Sequence, residues 1–393
     1  MTSRHHLRPG FVRLLAGAVL VPALLAACTS TGTSTGPEAG GPTSGGPTSP
    51  ATTGATLTGA PAGLQRVMRT VYEGGTLTAA SPSAATALAA RHPSKEPLAG
   101  TAKTGSWMGT PVAVVTVGQD VTLAVGPDWK VVGGWWPSLG VSKPSLGSGR
   151  PRWVLAIGSD ARPGQPLERS RADVLQVIGQ DGTGGGGVMG MARDLWVPLT
   201  TGGTGKINSP MVFGGPKAEL QTVRNTTRLP IEGYVVLGFT GFKKLVDAQG
   251  GIPIVIPKTV VASHAHDLVI KAGPRTLTGA QALAYARERK TLPDGDFGRS
   301  RHQGELILAA AVKAKLAGPI AIPAALTSFS AVGASNLTAE QILTFTAGLH
   351  RLNPLKVGRG VAKGPFDMVA GQSIVRIGAE ARRLFAAFAD GNL

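Results

Sequence analysis

The chain predicts an α/β or α+β fold, with a central sheet flanked by helices and a small β-rich unit ahead of it. Three observations lead there. Beyond Arg150, short apolar runs of strand length interleave with segments of helical period. Between Pro111 and Trp136, apolar residues follow strand alternation broken by Gly-containing turns. The composition, 42% hydrophobic and only 16% charged with 56 Gly and 29 Pro in 393 residues, permits a core and excludes a coiled coil or a wholly disordered chain. A single cysteine excludes a disulfide framework and any Cys-based zinc site within one chain.

The first element is an address. Arg4, Arg8 and Arg13 precede an apolar stretch from Leu14 to Ala27, too short and too interrupted at Pro22 to span a bilayer comfortably, so residues 1–27 read as a signal peptide. The stretch closes on Leu25-Ala26-Ala27-Cys28, which resembles a bacterial lipobox and makes Cys28 the expected lipidation site. Cleavage removes three Arg and no acid, lowering the net charge from +17 to +14, so the basic excess belongs to the exported part. Residues 28–62 are nearly all Thr, Ser, Gly, Pro and Ala with Glu38 the one charge, a composition that buries no core. As a flexible tether they reach roughly 30 Å. The expected location is the extracytoplasmic face of a bacterial membrane, where positive charge meets anionic lipid, phosphate or acidic polymer and no nucleic acid.

Residues 63–149 form the expected accessory unit. Leu64, Val67, Met68, Val71 and Tyr72 fall on one helical face that stops at Gly74-Gly75. Val112 to Val117, the turn Gly118-Gln119-Asp120 and the alternating Val121, Leu123 and Val125 predict a hairpin, continued by Trp129, Val131 and the Trp135-Trp136 pair. That pair reads as core, and is also the best sugar contact outside the main domain.

In residues 150–393, strands are expected at Trp153–Gly158, Val174–Gly179, Val188–Arg193, Tyr234–Gly238 and Ile252–Ile256. Helices are expected from Pro216 to about Thr227, over Gly241–Ala248, over Ala282–Arg287 behind the capping box Thr278/Gln281, over Glu305–Leu316, behind the capping box Thr338/Gln341, and over Ile374–Phe388. The run Gly184–Gly187 reads as a loose loop, and residues 317–393 as helical.

Charge is sparse, yet Asp and Arg recur together where strands and helices end: Asp160 with Arg162, Arg171 with Asp173, Arg193-Asp194, Arg287-Glu288-Arg289, and Asp296 with Arg299. Converging guanidiniums require an anion with many oxygens, and planar Arg suits phosphate. Interleaved carboxylates suit Mg²⁺, which takes one or two of them together with phosphate oxygens and water. Arg287 falls on the apolar face of its helix and is expected to be buried, the helix ending there so that Arg287 and Arg289 approach one anion.

The order and spacing of these motifs resemble the LytR-CpsA-Psr (LCP) family of cell-wall glycopolymer ligases over roughly Trp153 to Leu316. The residues that carry the resemblance are Gly158-Ser159-Asp160-x-Arg162, Arg171-x-Asp173, Arg193-Asp194 with Val197-Pro198, Lys206-Ile207-Asn208 with Gly214-Gly215, Tyr234 to Gly251, Leu277-x-Gly279-x-Gln281-Ala282-Leu283-x-Tyr285-x-Arg287-x-Arg289, and Gly295-Asp296-Phe297-Gly298-Arg299. It implies an α/β core with an apolar lipid-holding groove, and an enzyme that moves a glycopolymer from a polyprenyl-pyrophosphate carrier to a peptidoglycan hydroxyl as a phosphodiester. It further implies that Arg162, Arg171, Arg193, Arg287, Arg289 and Arg299, with Gln303, hold the pyrophosphate. Asp160 and Asp173 fall to Mg²⁺, and Asp194 or Asp296 to the base. Where many members place a further Arg, this chain has His302 after Arg301, and His302 reads as a polar neighbour of the site. Two other readings remain at this stage, a noncatalytic lipid-anchored binder or regulator and a pyrophosphate hydrolase.

Overall fold

The computed structural model describes residues 56–147 and 149–393. The signal peptide, Cys28 and most of the tether lie outside the described residues. The described residues nevertheless begin inside the stretch read as tether. β1 (Thr56–Thr58) pairs in parallel with β2 (Ala99–Trp107), and α1 starts at Ala62 (Ala62–Glu73). Leu57, 5% exposed, anchors β1 in the same cluster as Leu64 and Met68.

The N-terminal unit is completed by α2 (Pro82–Ala89), β3 (Thr110–Val117), β4 (Asp120–Val125), β5 (Lys130–Trp136) and β6 (Val141–Ser145), in one six-stranded sheet of sequential order. Both faces are covered. Ala113, Val115, Ala124 and Val131 pack under α1 and α2, whereas Val112, Val114, Leu123 and Val132 point the other way into a second cluster. Strand alternation here separates two cores instead of core from water, which is why β3 and β4 read as nearly continuous apolar runs.

The main domain opens with β7 (Arg152–Ser159), β8 (Ala172–Gln180) and β9 (Gly186–Met191), followed by a small hairpin of β10 (Trp196–Pro198) and β11 (Thr204–Lys206). α3 (Pro210–Thr227), broken at Gly215, leads to β12 (Gly233–Gly238) and α4 (Phe239–Ala248). Two short two-stranded sheets follow, built from β13 (Ile252–Ile256) with β16 (Gly273–Leu277), and β14 (Val260–Ala262) with β15 (Leu268–Ile270). Then come α5 (Gly279–Arg287), α6 (Asp296–Leu316), α7 (Ile322–Ser330), β17 (Gly333–Ser335), α8 (Ala339–Arg351), β18 (Val357–Ala362), the hairpin β19 (Phe366–Val369) and β20 (Gln372–Val375), and α9 (Ala379–Ala387).

The central sheet runs β17-β12-β7-β8-β9-β18 with mixed strand directions. Leu155, Val177, Met189 and Val236 face Leu220 and Val223 of α3 and Phe385 of α9. On the opposite face Val154 meets Ile342 and Leu343 of α8, while Ala156 and Gly158 border a cavity under α4 to α7. Among the described residues no single helix is long and apolar enough to cross a membrane.

Several expectations change. β13 pairs with β16 outside the central sheet. Residues 317–393 are not simply helical, since they supply both edge strands, β17 and β18, and the final helix starts at Ala379 because residues 372–375 pair as β20. The glycine run is not a loose loop. The Asp181 carboxylate accepts from Thr183 and Gly185 backbone N–H groups at 2.6 and 3.0 Å, and Gly186 and Gly187 enter β9. A Cβ on Gly187 would stand 2.8 Å from the Phe388 ring, so glycine there admits the chain's C-terminal aromatic. Trp136 is fully buried with its Nε1–H donating to Thr122 Oγ1 at 2.8 Å, and the half-buried Trp135 packs against the second cluster with His350 stacked on it and the Arg351 guanidinium over its ring.

Candidate functional site

A polar pocket of about 210 Å³ forms where β8, β9, α5 and α6 converge. Arg193, Arg287, Arg289, Lys290 and Arg299 line it, against the carboxylates of Asp173 and Glu288. Arg193 leaves β9 in the turn before β10. Its Nη1 meets Asp173 Oδ1 at 2.6 Å, and its Nε lies 3.9 Å from Asp194 and 4.0 Å from Asp296. β11 returns Lys206 beside Asp194, 2.8 Å away. Arg299 stands one helical turn after Asp296 at the start of α6, 2.7 Å from it and 7% exposed.

These charges do not fully satisfy one another. Both oxygens of Asp296 and the Nε of Arg193 are buried without a hydrogen-bond partner. The 2.7 Å approach of Arg299 to Asp296 is a Coulombic contact without hydrogen-bond alignment. Burial works to release the Arg193 proton, but Asp173, Asp296 and Asp194 outweigh it and hold that guanidinium above its ordinary value. For Arg299 burial prevails and lowers its value, with Asp296 opposing and Arg193 adding to the effect. A cluster of this kind is arranged for a further charged occupant.

Glu288 fixes the cationic rim. It caps the C-terminus of α5 in extended conformation, which turns the chain so that Arg287, Arg289 and Lys290 border one pocket. Its buried carboxylate accepts from Ser263 N–H (2.6 Å), Ser263 Oγ (3.1 Å) and Thr291 N–H (3.0 Å), with His264 Nδ1 at 3.4 Å. Burial opposes ionisation, but these donors win and bring its pKa down to about 2.

Next to the polar pocket lies an apolar cavity of about 530 Å³. Its floor is the same face of three strands, through Ala156 and Gly158, Val174, and Val235 and Leu237, and its roof is α4, α5, α6 and α7. Val174, Phe239, Arg287 and Gln303 border both spaces. The Arg287 guanidinium sits 4.4 Å over the Phe239 ring at that junction, a cation held on an aromatic face where the surroundings change from polar to apolar.

The model of the LytR_cpsA_psr family matches residues 142–380. The chain belongs to that family. The polyisoprenyl-teichoic acid–peptidoglycan teichoic acid transferase TagU of Bacillus mycoides is 31% identical over 208 residues, 52% of this chain and 66% of its own length. The polyisoprenyl-teichoic acid–peptidoglycan teichoic acid transferase TagV of Bacillus subtilis is 35% identical over 127 residues, 30% of this chain and 32% of that protein. The regulatory protein MsrR of Staphylococcus aureus is 34% identical over 157 residues, 39% and 46% of the two chains. The matched stretches thus span about a third to two thirds of these curated relatives. The crystal structure of B. subtilis TagV superposes with a TM-score of 0.53 at 25% identity, covering 63% of this chain and all of that one. A structure of TagT bound to LI-WTA gives 0.52 at 21% identity, over 62% of this chain and 91% of that one.

Within this LytR-CpsA-Psr chain the residues expected at the site separate into three groups. Asp173, Arg193, Arg287, Arg289, Arg299 and Gln303 meet at the polar pocket, and Asp194 and Asp296 flank Arg193 beside it. Arg287 is exposed to the pocket rather than buried, because α5 ends there and its apolar stem lies on Phe239. Gln303 has both ends of its amide engaged, accepting from Gln176 Nε2 (3.3 Å) and donating one N–H to the Ala286 carbonyl (3.1 Å), so it joins α5, α6 and β8 at the edge of the pocket.

Asp160, Arg162 and Arg171 lie outside the pocket lining. Asp160 and Arg171 hold each other's backbone, with Arg171 N–H donating to Asp160 Oδ1 at 2.8 Å, and the Arg162 and Arg171 side chains are exposed. Arg301 pairs with Asp294 at 2.5 Å. His302 stacks on Tyr285 at 3.9 Å with its Nδ1 3.2 Å from the Tyr285 carbonyl, which makes it packing between α5 and α6 and not a neighbour of the charged cluster. Glu288, Lys206, Lys290 and Phe239 are among the site residues whose roles sequence reasoning missed. The signal was available: Glu288 is the lone acid between two Arg at a helix end, and Lys206 stands within one of the family's motifs.

Proposed function

We propose that this chain transfers a glycopolymer from a polyprenyl-pyrophosphate carrier to a peptidoglycan hydroxyl, forming a phosphodiester, at the outer face of a membrane to which Cys28 anchors it. The observation that carries the reading is the adjacency of the two spaces. A cationic pocket adjoins an apolar cavity across four shared lining residues, and a long apolar chain ending in a pyrophosphate suits the pair. The relatives named as transferases carry a polyisoprenyl-linked teichoic acid and peptidoglycan in their names.

In this reaction the acceptor hydroxyl bonds to the glycan-proximal phosphorus, the bridging P–O bond breaks, and polyprenyl phosphate leaves. Arg193, Arg287, Arg289 and Arg299 neutralise the charge that develops on the phosphoryl oxygens, the main contribution protein makes to a loose phosphoryl transfer. Asp194 takes the acceptor proton. It is the more exposed of the two candidate carboxylates, at 24% against 8% for Asp296, and so the one an incoming hydroxyl reaches.

Asp296, with two buried oxygens free of hydrogen bonds, suits a cation. No group of three or more His, Cys, Asp or Glu is placed to hold a metal among the described residues, so the fit is to an ion that completes its shell with phosphate oxygens and water, as Mg²⁺ does. Asp296 and Asp173, both of which face Arg193, would hold Mg²⁺, which would supply charge neutralisation at the pyrophosphate. Asp160, the other metal position read from the sequence, lies outside the lining of this pocket, with its Oδ1 accepting from the Arg171 backbone.

Mass spectrometry of products from a polyprenyl-pyrophosphate oligosaccharide, a peptidoglycan glycan and Mg²⁺ tests the reading. A phosphodiester-linked adduct supports transfer. Free phosphorylated oligosaccharide alone assigns the protein to the hydrolases, and binding without turnover to the noncatalytic carriers.

A further inference from the structure

The N-terminal sheet enters the apolar cavity at one residue, and its place there concerns the end far from the pyrophosphate. α6 carries the cavity wall away from the polar pocket, from Gln303 at the junction through Leu306, Ala310 and Ala314 to Ala317. At ~1.5 Å per residue that wall is ~21 Å long. The chain then turns by 110° into the segment Pro319–Ser330, so that Ile322, Leu326 and Phe329 of α7 stand across the line of α6. Behind them lies Trp107 of β2. It is 2% exposed, lines the cavity, stacks on Phe329 at 5.4 Å and donates its Nε1–H to the Leu337 carbonyl at 2.8 Å.

β2 also holds α7 in position. Ser106 N–H donates to Thr327 Oγ1 at 2.8 Å, and Met108 N–H to Ser330 Oγ at 3.1 Å. At Gly105 a Cβ would lie 2.3 Å from the Pro323 carbonyl oxygen, so only glycine lets helix and strand come this close. β1 to β5 precede the residues matched by the family model, so this wall is built on a part of the chain outside that match.

We infer that the N-terminal sheet, through Trp107 and its hold on α7, is the distal stop of the lipid cavity and sets the polyprenyl length the protein accepts. This rests on the proposed function, in which the cavity receives the carrier's isoprenoid tail. A short tail ends before α7. A long one meets Phe329, backed by Trp107, and must bend out of the cavity, and removing the indole lets Phe329 give way and extends the straight path.

The test uses the full-length protein in detergent with polyprenyl monophosphates of short, intermediate and long chain, each carrying a photoreactive diazirine at the end opposite the phosphate. Adducts are mapped by peptide mass spectrometry, and the affinity for each length is measured on wild type, Trp107→Leu and Ala325→Phe. The second variant narrows the same end from α7 and leaves Trp107 in place, so it decides the matter if the first fails to fold. The expected result is adducts on Trp107 and on residues 322–329. Preference is expected to move about tenfold toward longer chains in Trp107→Leu, and toward shorter ones in Ala325→Phe. Adducts confined to α4, α5 and α6, with both variants keeping the wild-type length profile, overturn the stop while leaving the lipid site standing. Failure of every chain length to bind overturns the functional reading and the stop with it.

Discussion

The two joined spaces of this LytR-CpsA-Psr protein are built by opposite means. The polar pocket is small and made from chain ends, namely the turn after β9, the C-terminus of α5 and the first turn of α6, and its groups are held by charge. The apolar cavity is more than twice as large and is made from the middles of helices and strands, with alanines on α6 and α7 leaving the space. Chain ends can be aimed but are held only by their own hydrogen bonds, whereas helix faces are rigid but offer little chemistry. The pocket is therefore where substitution should change the reaction, and the cavity where it should change which donor is held.

The largest effect expected on the pocket side comes from Arg193→Ala, which should lower transfer by about 10²–10³ with donor affinity less affected, measured as kcat and KM in the coupled product assay. Arg193 is the better probe than Arg299, because Arg299 and Asp296 are 7% and 8% exposed and removing either leaves a buried charge that costs about 3–5 kcal/mol of stability. Asp296→Asn keeps the shape and removes the charge, at that same cost in stability. It should raise the Mg²⁺ concentration needed for half-maximal turnover by about tenfold, where Asp160→Asn leaves it unchanged. On the cavity side, Ala310→Trp should raise KM for long-tailed donors by about tenfold and leave the affinity for inorganic pyrophosphate as it was. If both ligands weaken together, the division between the spaces fails.

The smallest effect concerns the hinge of the cationic rim. With a folded pKa of about 2 against 4.5 for an unperturbed carboxyl, Glu288 contributes stability that is complete above about pH 4.5 and is lost as pH falls toward 2. The difference in melting temperature between wild type and Glu288→Gln should therefore be constant at neutral pH and shrink through that acid window. A difference that persists at pH 2 would mean that Glu288 acts through packing and not through its charge.

What the sequence made legible was local. The capping boxes at Thr278/Gln281 and Thr338/Gln341 are both present, and α5 stops at Arg287, because each depends on residues a few positions apart. What it concealed depended on distant partners. β18 and β20 look like loop or helix until β9 and β19 pair with them, and the glycines of β9 look loose until Phe388 and Leu393 arrive from the far end of the chain. The candidate site divides the same way. The Arg and Asp motifs could be read as a set, but Arg287 beside Phe239, the engaged amide of Gln303 and the withdrawal of Asp160, Arg162 and Arg171 from the pocket are facts of packing.

The central claim is that one amphipathic ligand occupies both spaces. Calorimetric affinities of the wild-type protein for a polyprenyl pyrophosphate, the corresponding polyprenol and inorganic pyrophosphate, repeated with Arg193→Ala, test it most directly. The account predicts that the joined molecule binds well beyond either part, and that Arg193→Ala weakens both pyrophosphate ligands while leaving the polyprenol unaffected. A joined molecule that binds no tighter than the better of its parts would contradict it.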